Sequence, residues 1–200
     1  MTTTNEKPIR LYRLGETVHI AALGVWTGAL VGAGISAAVV FPTVRDLDPA
    51  LPEYTAYEGP HWMLSAGMIA SRVFLITDII QFVCACLAVV GFGLAVFVGK
   101  PARNWGLFLR ALLLGLAFLA VSYHLLMLMP AMQSDLRQYW NAALAGDTAT
   151  AEQFRQAFSD RHQSASRSIG GTALATLGAL IAGVWMLAGN AKGLGVPDGK

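Results

Sequence analysis

The sequence predicts an all-α, polytopic membrane protein, a bundle of four transmembrane helices with an external helical extension. Three observations predict it. Of the 200 residues, 55% are hydrophobic and only 13% charged, and the mean hydropathy is +0.54; such proportions suit lipid better than water. Four apolar stretches, at about 19–41, 69–98, 105–129 and 169–187, are each long enough or nearly so to cross a hydrocarbon layer of ~30 Å at ~1.5 Å per helical residue. Small residues recur in the first stretch, at Gly24, Gly28, Gly32 and Ser36; every fourth position falls on one helix face, where another backbone can approach closely.

The polar residues 1–18, with Lys7, Arg10 and Arg13, read as a cytoplasmic tail. The first span, His19–Phe41, holds no acid, Lys or Arg and exceeds the apolar length of a cleaved signal peptide. Pro42 is expected to close it, because the residue before a proline resists helix. An external loop, 42–68, follows, with Asp46, Asp48, Glu53 and Glu58 against Arg45. The second span is the one with ionisable residues well inside its helix, Arg72 and Asp78, with Gln81 beyond. The short turn through Lys100, Pro101 and Arg103 makes the second and third spans antiparallel neighbours.

The third span carries Arg110 near its start and Tyr123 and His124 near its end. Pro130 is expected to kink the helix rather than end it, because Leu136, Tyr139, Trp140, Ala143 and Leu144 continue with helical spacing. Gly146 and Asp147 break that extension, and Thr150 with Gln153 forms a candidate capping box. The next helix, bearing Phe154 and Phe158, is expected to run through His162 and Arg167 into the fourth span, so that 130–168 forms the second external segment. Gly171, Ala175, Ala179 and Gly183 repeat the small-residue pattern there and are expected to pack near the glycine face of the first span. Residues 189–200 read as a flexible tail. Cys84 and Cys86 sit in an apolar run and point in different directions on a helix, as small apolar residues rather than a disulfide or metal pair.

The N-terminal tail, the 100–110 turn and the C-terminus hold eight Lys/Arg and three acids, whereas the two longer loops with Arg72 hold six and eight. By the positive-inside rule both termini are expected in the cytoplasm. The net charge of +2 is too small to suggest a nucleic-acid partner, and no basic cluster interleaved with aromatics occurs, so none is expected. No nucleophile–base arrangement, phosphate loop or metalloprotease helix occurs.

That topology gathers Arg72, Asp78, His124, His162 and Ser166 toward the outer half of the bundle. An intramembrane carboxylate normally faces the bundle interior with a partner, so Asp78 is either a proton or cation site or a clasp that sets helix register. Tyr123, Ser122 or Ser166 is the expected partner. His124 and Met127 stand three apart, a pairing of imidazole with thioether that suits copper(I). His124 and His162 are the pair that could hold a b-type haem between helices. His19, at an inner helix end, reads as interfacial.

The order of these pieces resembles the family of transmembrane protein 205, four-helix membrane proteins whose bacterial members form a domain of unknown function. Trp26-Thr27-Gly28 running to Phe41-Pro42 is similar to the family's first helix, Ser71-Arg72-Val73-Phe74 to the start of its second, and Phe158, His162 and Ser166 to the entry of its last. The family commonly has an asparagine about two turns beyond that histidine, where Ile169 stands in this chain. The resemblance implies a four-span fold and no defined activity. The expectation is therefore a non-enzymatic scaffold or accessory subunit of the bacterial inner membrane, in contact with lipid and with other subunits or copies of itself. The alternative is a haem- or copper-binding, or proton- or metal-transporting, protein using the outer polar cluster.

Overall fold

In the computed structural model, residues 6–99 and 105–193 are described. They form α1 (Glu6–Leu47), a 3-10 turn (Pro52–Tyr54), α2 (His61–Gly99), α3 (Trp105–Tyr123), a π turn (His124–Leu128), α4 (Met129–Leu144) and α5 (Thr148–Gly193). There is no strand among the described residues. Four helical segments, Lys7–Leu47, His61–Gly99, Trp105–Leu144 and Thr148–Ala188, are long and apolar enough to cross a membrane. The protein is a multi-pass α-helical membrane protein. The Lys100, Pro101 and Arg103 turn and the tail beyond residue 193 lie outside the described residues.

The helices outrun the apolar stretches that announce them. α1 has 42 residues, about 60 Å of helix against a ~30 Å hydrocarbon layer. It begins at Glu6, so most of the expected polar tail is helical, and it continues through Pro42 to Leu47 rather than stopping there. Proline removes one backbone donor and crowds the carbonyl four residues back; α1 accommodates that single defect. The connection to α2 is accordingly only 48–60, and α2 starts eight residues before the apolar run does. α5 likewise extends to Gly193, into the segment expected to be a tail.

At Pro130 the chain solves the same problem differently. Residues His124–Leu128 widen into a π turn in which the Met129 N–H donates to the His124 carbonyl, five residues back. The wider turn stands immediately before the proline whose ring would otherwise crowd the preceding turn. The helix then resumes as α4, as the spacing of Leu136, Tyr139 and Ala143 requires; all three are buried, while Leu144 is exposed. Gly146, at φ +74°, ends α4. The cap of α5 is Asp147, whose Oδ1 accepts the Thr150 N–H at 3.0 Å, rather than a box begun by Thr150.

The chain divides into two compact units. The first takes residues 6–28, 81–99, 105–119 and 171–193; the second takes Ala29–Ile80 and Ala120–Gly170. In the first, backbones approach closely. A Cβ on Gly15 would stand 2.7 Å from the Ala95 nitrogen, and one on Gly91 2.8 Å from the Gly15 oxygen, so only glycine allows this α1–α2 crossing. Ala85, Ala88, Ala95, Ala117 and Ala179 are buried there beside Leu23, Trp26 and Leu114, while Val90, Leu112, Ile181 and Val184 point outward. Small residues at helix contacts and bulky aliphatic ones outside suit a lipid surround. The second unit contains a larger-grained core of Tyr54, Tyr57, Leu64, Leu136, Tyr139, Ala143 and Ala151, with Trp140, Phe154 and Phe158 packed against it. There His61 ties down the 48–60 connection: its Nδ1 accepts the Leu51 N–H at 3.0 Å, and its Nε2–H donates to the Tyr57 carbonyl at 3.1 Å.

Candidate functional site

The buried polar side chains are the residues most able to carry chemistry, and each unit has its own set. In the first unit Glu16 and His19 stand one helical turn apart on the buried face of α1. Arg110 of α3, 1% exposed, grips Glu16 with both guanidinium nitrogens, at 3.1 and 2.6 Å. It also lies over the Phe92 ring, 5.2 Å from its centroid. A two-pronged Arg–carboxylate contact is geometrically demanding, and this one binds α1 to α3.

His19, with no exposed surface, binds α1 to α2. Its Nδ1–H donates to the Ala88 carbonyl at 2.7 Å, and its ring meets Phe92 at 5.3 Å. The interfacial role expected for His19 is therefore replaced by a buried one. Its Nε2 has no hydrogen-bond partner. Further along, the Trp26 indole N–H donates to the Gln81 side-chain oxygen at 3.4 Å, and Thr27 donates to Thr176 at 3.0 Å. The buried face of α5 runs Thr172, Thr176, Ala179 and Gly183. It meets α1 at Thr27 and Ile20, not along the glycine face.

In the second unit, His124 supplies what Asp78 needs. His124 Nε2 and Asp78 Oδ1 are 3.2 Å apart, both residues about 6% exposed. An ionised carboxylate can only accept, so the ring proton belongs on Nε2, and Nδ1 is buried without a partner. The π turn thus supplies a partner of Asp78, at the residue after Tyr123. Thr77 is satisfied locally, donating to the Val73 carbonyl at 3.0 Å.

The rest of the expected outer cluster does not converge on this pair. Arg72 is exposed. His162 and Ser166 are exposed on α5, where His162 stacks on Phe158 with ring centroids 5.5 Å apart and lies 3.5 Å from the Ser166 hydroxyl. Met127 is 65% exposed while His124 is buried; the widened π turn takes the residue three positions on off the shared face that an α-helix would give. The His124–Met127 copper pair and the His124–His162 haem pair are therefore not assembled by these side chains. Among the described residues no three His, Cys, Asp or Glu side chains gather as a metal set. Asp135 instead pairs with Arg161, joining α4 to α5.

The small face of α1 is turned outward. Gly28 and Gly32 are exposed, Gly24 is half-buried, and a Cβ at any of the three would meet nothing within 4 Å. Ser36 uses its hydroxyl on the Gly32 carbonyl, at 2.8 Å.

Glu16 and Arg110 were the residues that reading the sequence overlooked. The available signal was the placement of Tyr12, Gly15, Glu16 and His19 on one side of a helix begun earlier than the apolar run. No family model matches the chain, and neither a curated protein nor a solved structure matches it.

Proposed function

We propose that the protein is a non-enzymatic membrane subunit that assembles with other membrane helices through the outward face of α1. One observation carries this reading: Gly24, Gly28 and Gly32 form a ridge of the kind that lets helices approach in lipid, yet among the described residues no other helix or loop lies within 4 Å of where their side chains would be. The interior supports it. Glu16–Arg110, His19–Ala88, Trp26–Gln81, Thr27–Thr176 and Asp78–His124 join different helices pairwise, as register clasps do. The positive-inside count supports both termini in the cytoplasm, and the chain's length with its family resemblance suggests a bacterial inner membrane. The resemblance to the transmembrane protein 205 family is part of the same proposal.

The test is to enlarge the ridge. Because each position faces open space, Gly28→Leu and Gly32→Leu should leave the thermal midpoint of the detergent-solubilised chain unchanged while shrinking the complex crosslinked in native membranes. A complex of unaltered size and partners in the double variant removes this reading.

A second reading is favoured by the unpartnered His124 Nδ1 beside Asp78: a proton or cation site at this pair, in a chain that moves or senses that ion. Asp78→Asn separates the two readings. Loss of stability with no transport phenotype supports a clasp; loss of a transport phenotype at undiminished stability supports the ion site.

A further inference from the structure

We infer that the 48–60 connection is a strap that acid opens, with His61 as its latch. His61 closes the connection on itself: its Nδ1 accepts the Leu51 N–H at 3.0 Å, and its Nε2–H donates to the Tyr57 carbonyl at 3.1 Å. A backbone N–H can only donate, so the latch needs the Nδ1 lone pair and hence a neutral imidazole. A second proton goes to Nδ1, and two donors then face each other. The cation so formed also stands at the first residue of α2, the positive end of the helix dipole. Histidine is the side chain whose charge ordinarily changes between about pH 5 and 8.

The strap holds buried aromatic rings in place. The Leu51 carbonyl accepts the Tyr54 N–H at 3.0 Å, so release of Leu51 frees the 3-10 turn that carries Tyr54. The Tyr57 ring lies over Gly59, where a side chain would collide with it, and stacks on His61 with centroids 6.0 Å apart. Tyr54 and Tyr57 pack with Leu64 and Tyr139 in one core, so an open strap would bare an aromatic surface. The other polar ties are long: the Glu58 N–H reaches the Thr148 hydroxyl at 3.5 Å, and the Tyr57 and Tyr139 hydroxyls are 3.3 Å apart.

The remaining ionisable groups at this end of the second unit are of other types. Asp48, Glu53 and Glu58 are exposed in the connection, Asp147 caps α5, and Glu152 is paired with Arg155 on α5. Carboxylates, phenols and guanidinium groups ordinarily titrate outside the histidine range. His162 of α5 stacks on Phe158, which packs against the same core. It is exposed, and its 3.5 Å contact with Ser166 lies within α5, so its charge ties nothing to the strap. The latch needs neither a particular orientation in the membrane nor a partner for α1.

Hydrogen exchange of the full chain in detergent micelles tests the latch. It would be read by mass spectrometry at pH 7.5 and 5.5 and expressed as protection relative to the unstructured peptide, which reports local opening. An opening that takes up one proton grows by at most about tenfold per pH unit, so the wild type should lose roughly tenfold of its protection in 48–60 across that interval. Residues 81–99 of the first unit should keep theirs. H61Q and H61A, which cannot take up the proton, should show protection in 48–60 that is the same at both pH values. H162Q should respond as the wild type does. Wild-type protection that does not change with pH overturns the inference, as does a loss shared equally by 81–99. A response that survives in H61Q and H61A, or that vanishes in H162Q, assigns the titration to another group and overturns it too.

Discussion

The two units differ in what fills them. In the first, the backbones of α1 and α2 touch through Gly15 and Gly91, alanines fill much of the space beside Leu23, Trp26 and Leu114, and the polar contacts are Glu16–Arg110, His19–Ala88 and Trp26–Gln81. In the second, Tyr57, Tyr139, Leu64 and Leu136 make a larger-grained core, with Asp78–His124 and Asp135–Arg161 as its polar contacts. Close packing and hydrogen bonds are what hold helices together where lipid removes the hydrophobic drive between them; burial of large apolar side chains is the other way to join them. The first kind of interior should resist enlargement and loss of polar partners; the second should resist truncation.

The sharpest break of this contrast is Arg110→Ala. It strands the Glu16 carboxylate, and removing one partner of a buried ion pair is worth about 3–5 kcal/mol. Reversible unfolding in mixed micelles should show that loss, and Arg110→Lys should recover only part of it, because an ammonium cannot make the two-pronged contact. Little change in Arg110→Ala would mean the ion pair is incidental to the first unit.

Tyr139→Ala comes next, at about 3 kcal/mol for emptying an aromatic site in a packed core, read as a lowered melting midpoint and faster proteolysis within the 48–60 connection. Tyr139→Phe isolates the contact of its hydroxyl with that of Tyr57, at 3.3 Å, and should lose no more than about 1 kcal/mol. Should both variants melt like the wild type, the aromatic core is not what holds the second unit.

A smaller effect distinguishes glycines that look alike in sequence. Gly91→Ala puts a methyl group against the α1 backbone and should destabilise by about 1–3 kcal/mol. Gly28→Ala meets nothing and should be neutral or slightly stabilising, since alanine favours helix by up to about 1 kcal/mol. Equal effects at the two positions would erase the distinction between a crossing inside the chain and a face left for a partner.

The smallest effect is at the helix cap. The Thr150 backbone N–H, with its hydroxyl, holds the exposed Asp147 carboxyl below the usual carboxylate range. A group whose acidity is increased by folding contributes stability above its unfolded pKa and loses that contribution as pH falls through the folded one. Wild type should therefore lose a little stability on acidification that Asp147→Asn does not lose, visible as converging melting midpoints at low pH. Parallel curves for the two proteins would remove Asp147 as the cap.

The site residues show where legibility in the sequence stopped. Asp78 could be singled out because a carboxylate amid apolar residues is conspicuous on its own. The contact with His124 could not, because Tyr123, Ser122 and Ser166 are equally plausible partners by position, and which residue of α3 faces Asp78 depends on its rotation, which the π turn before Pro130 changes. His162 and Met127 matched cofactor chemistry by type and spacing, but spacing along one helix does not say which face looks inward. Arg110 and Glu16, 94 residues apart, lie near the ends of apolar runs, where a charge is ordinary and draws no attention.

The four apolar helices, the continuation beyond Pro130 and the breaks at Gly146 and Asp147 were determined by the sequence alone. They rest on hydropathy, length and local turn chemistry, which act over a few residues. Only the tertiary structure decided that Gly15 and Gly91, rather than Gly24 and Gly28, make the close crossing, that Arg110 belongs to Glu16, and that His124 belongs to Asp78. Each of those pairs two helices distant in sequence, and a helix's own pattern states which residues share a face without stating which face its neighbour will cover.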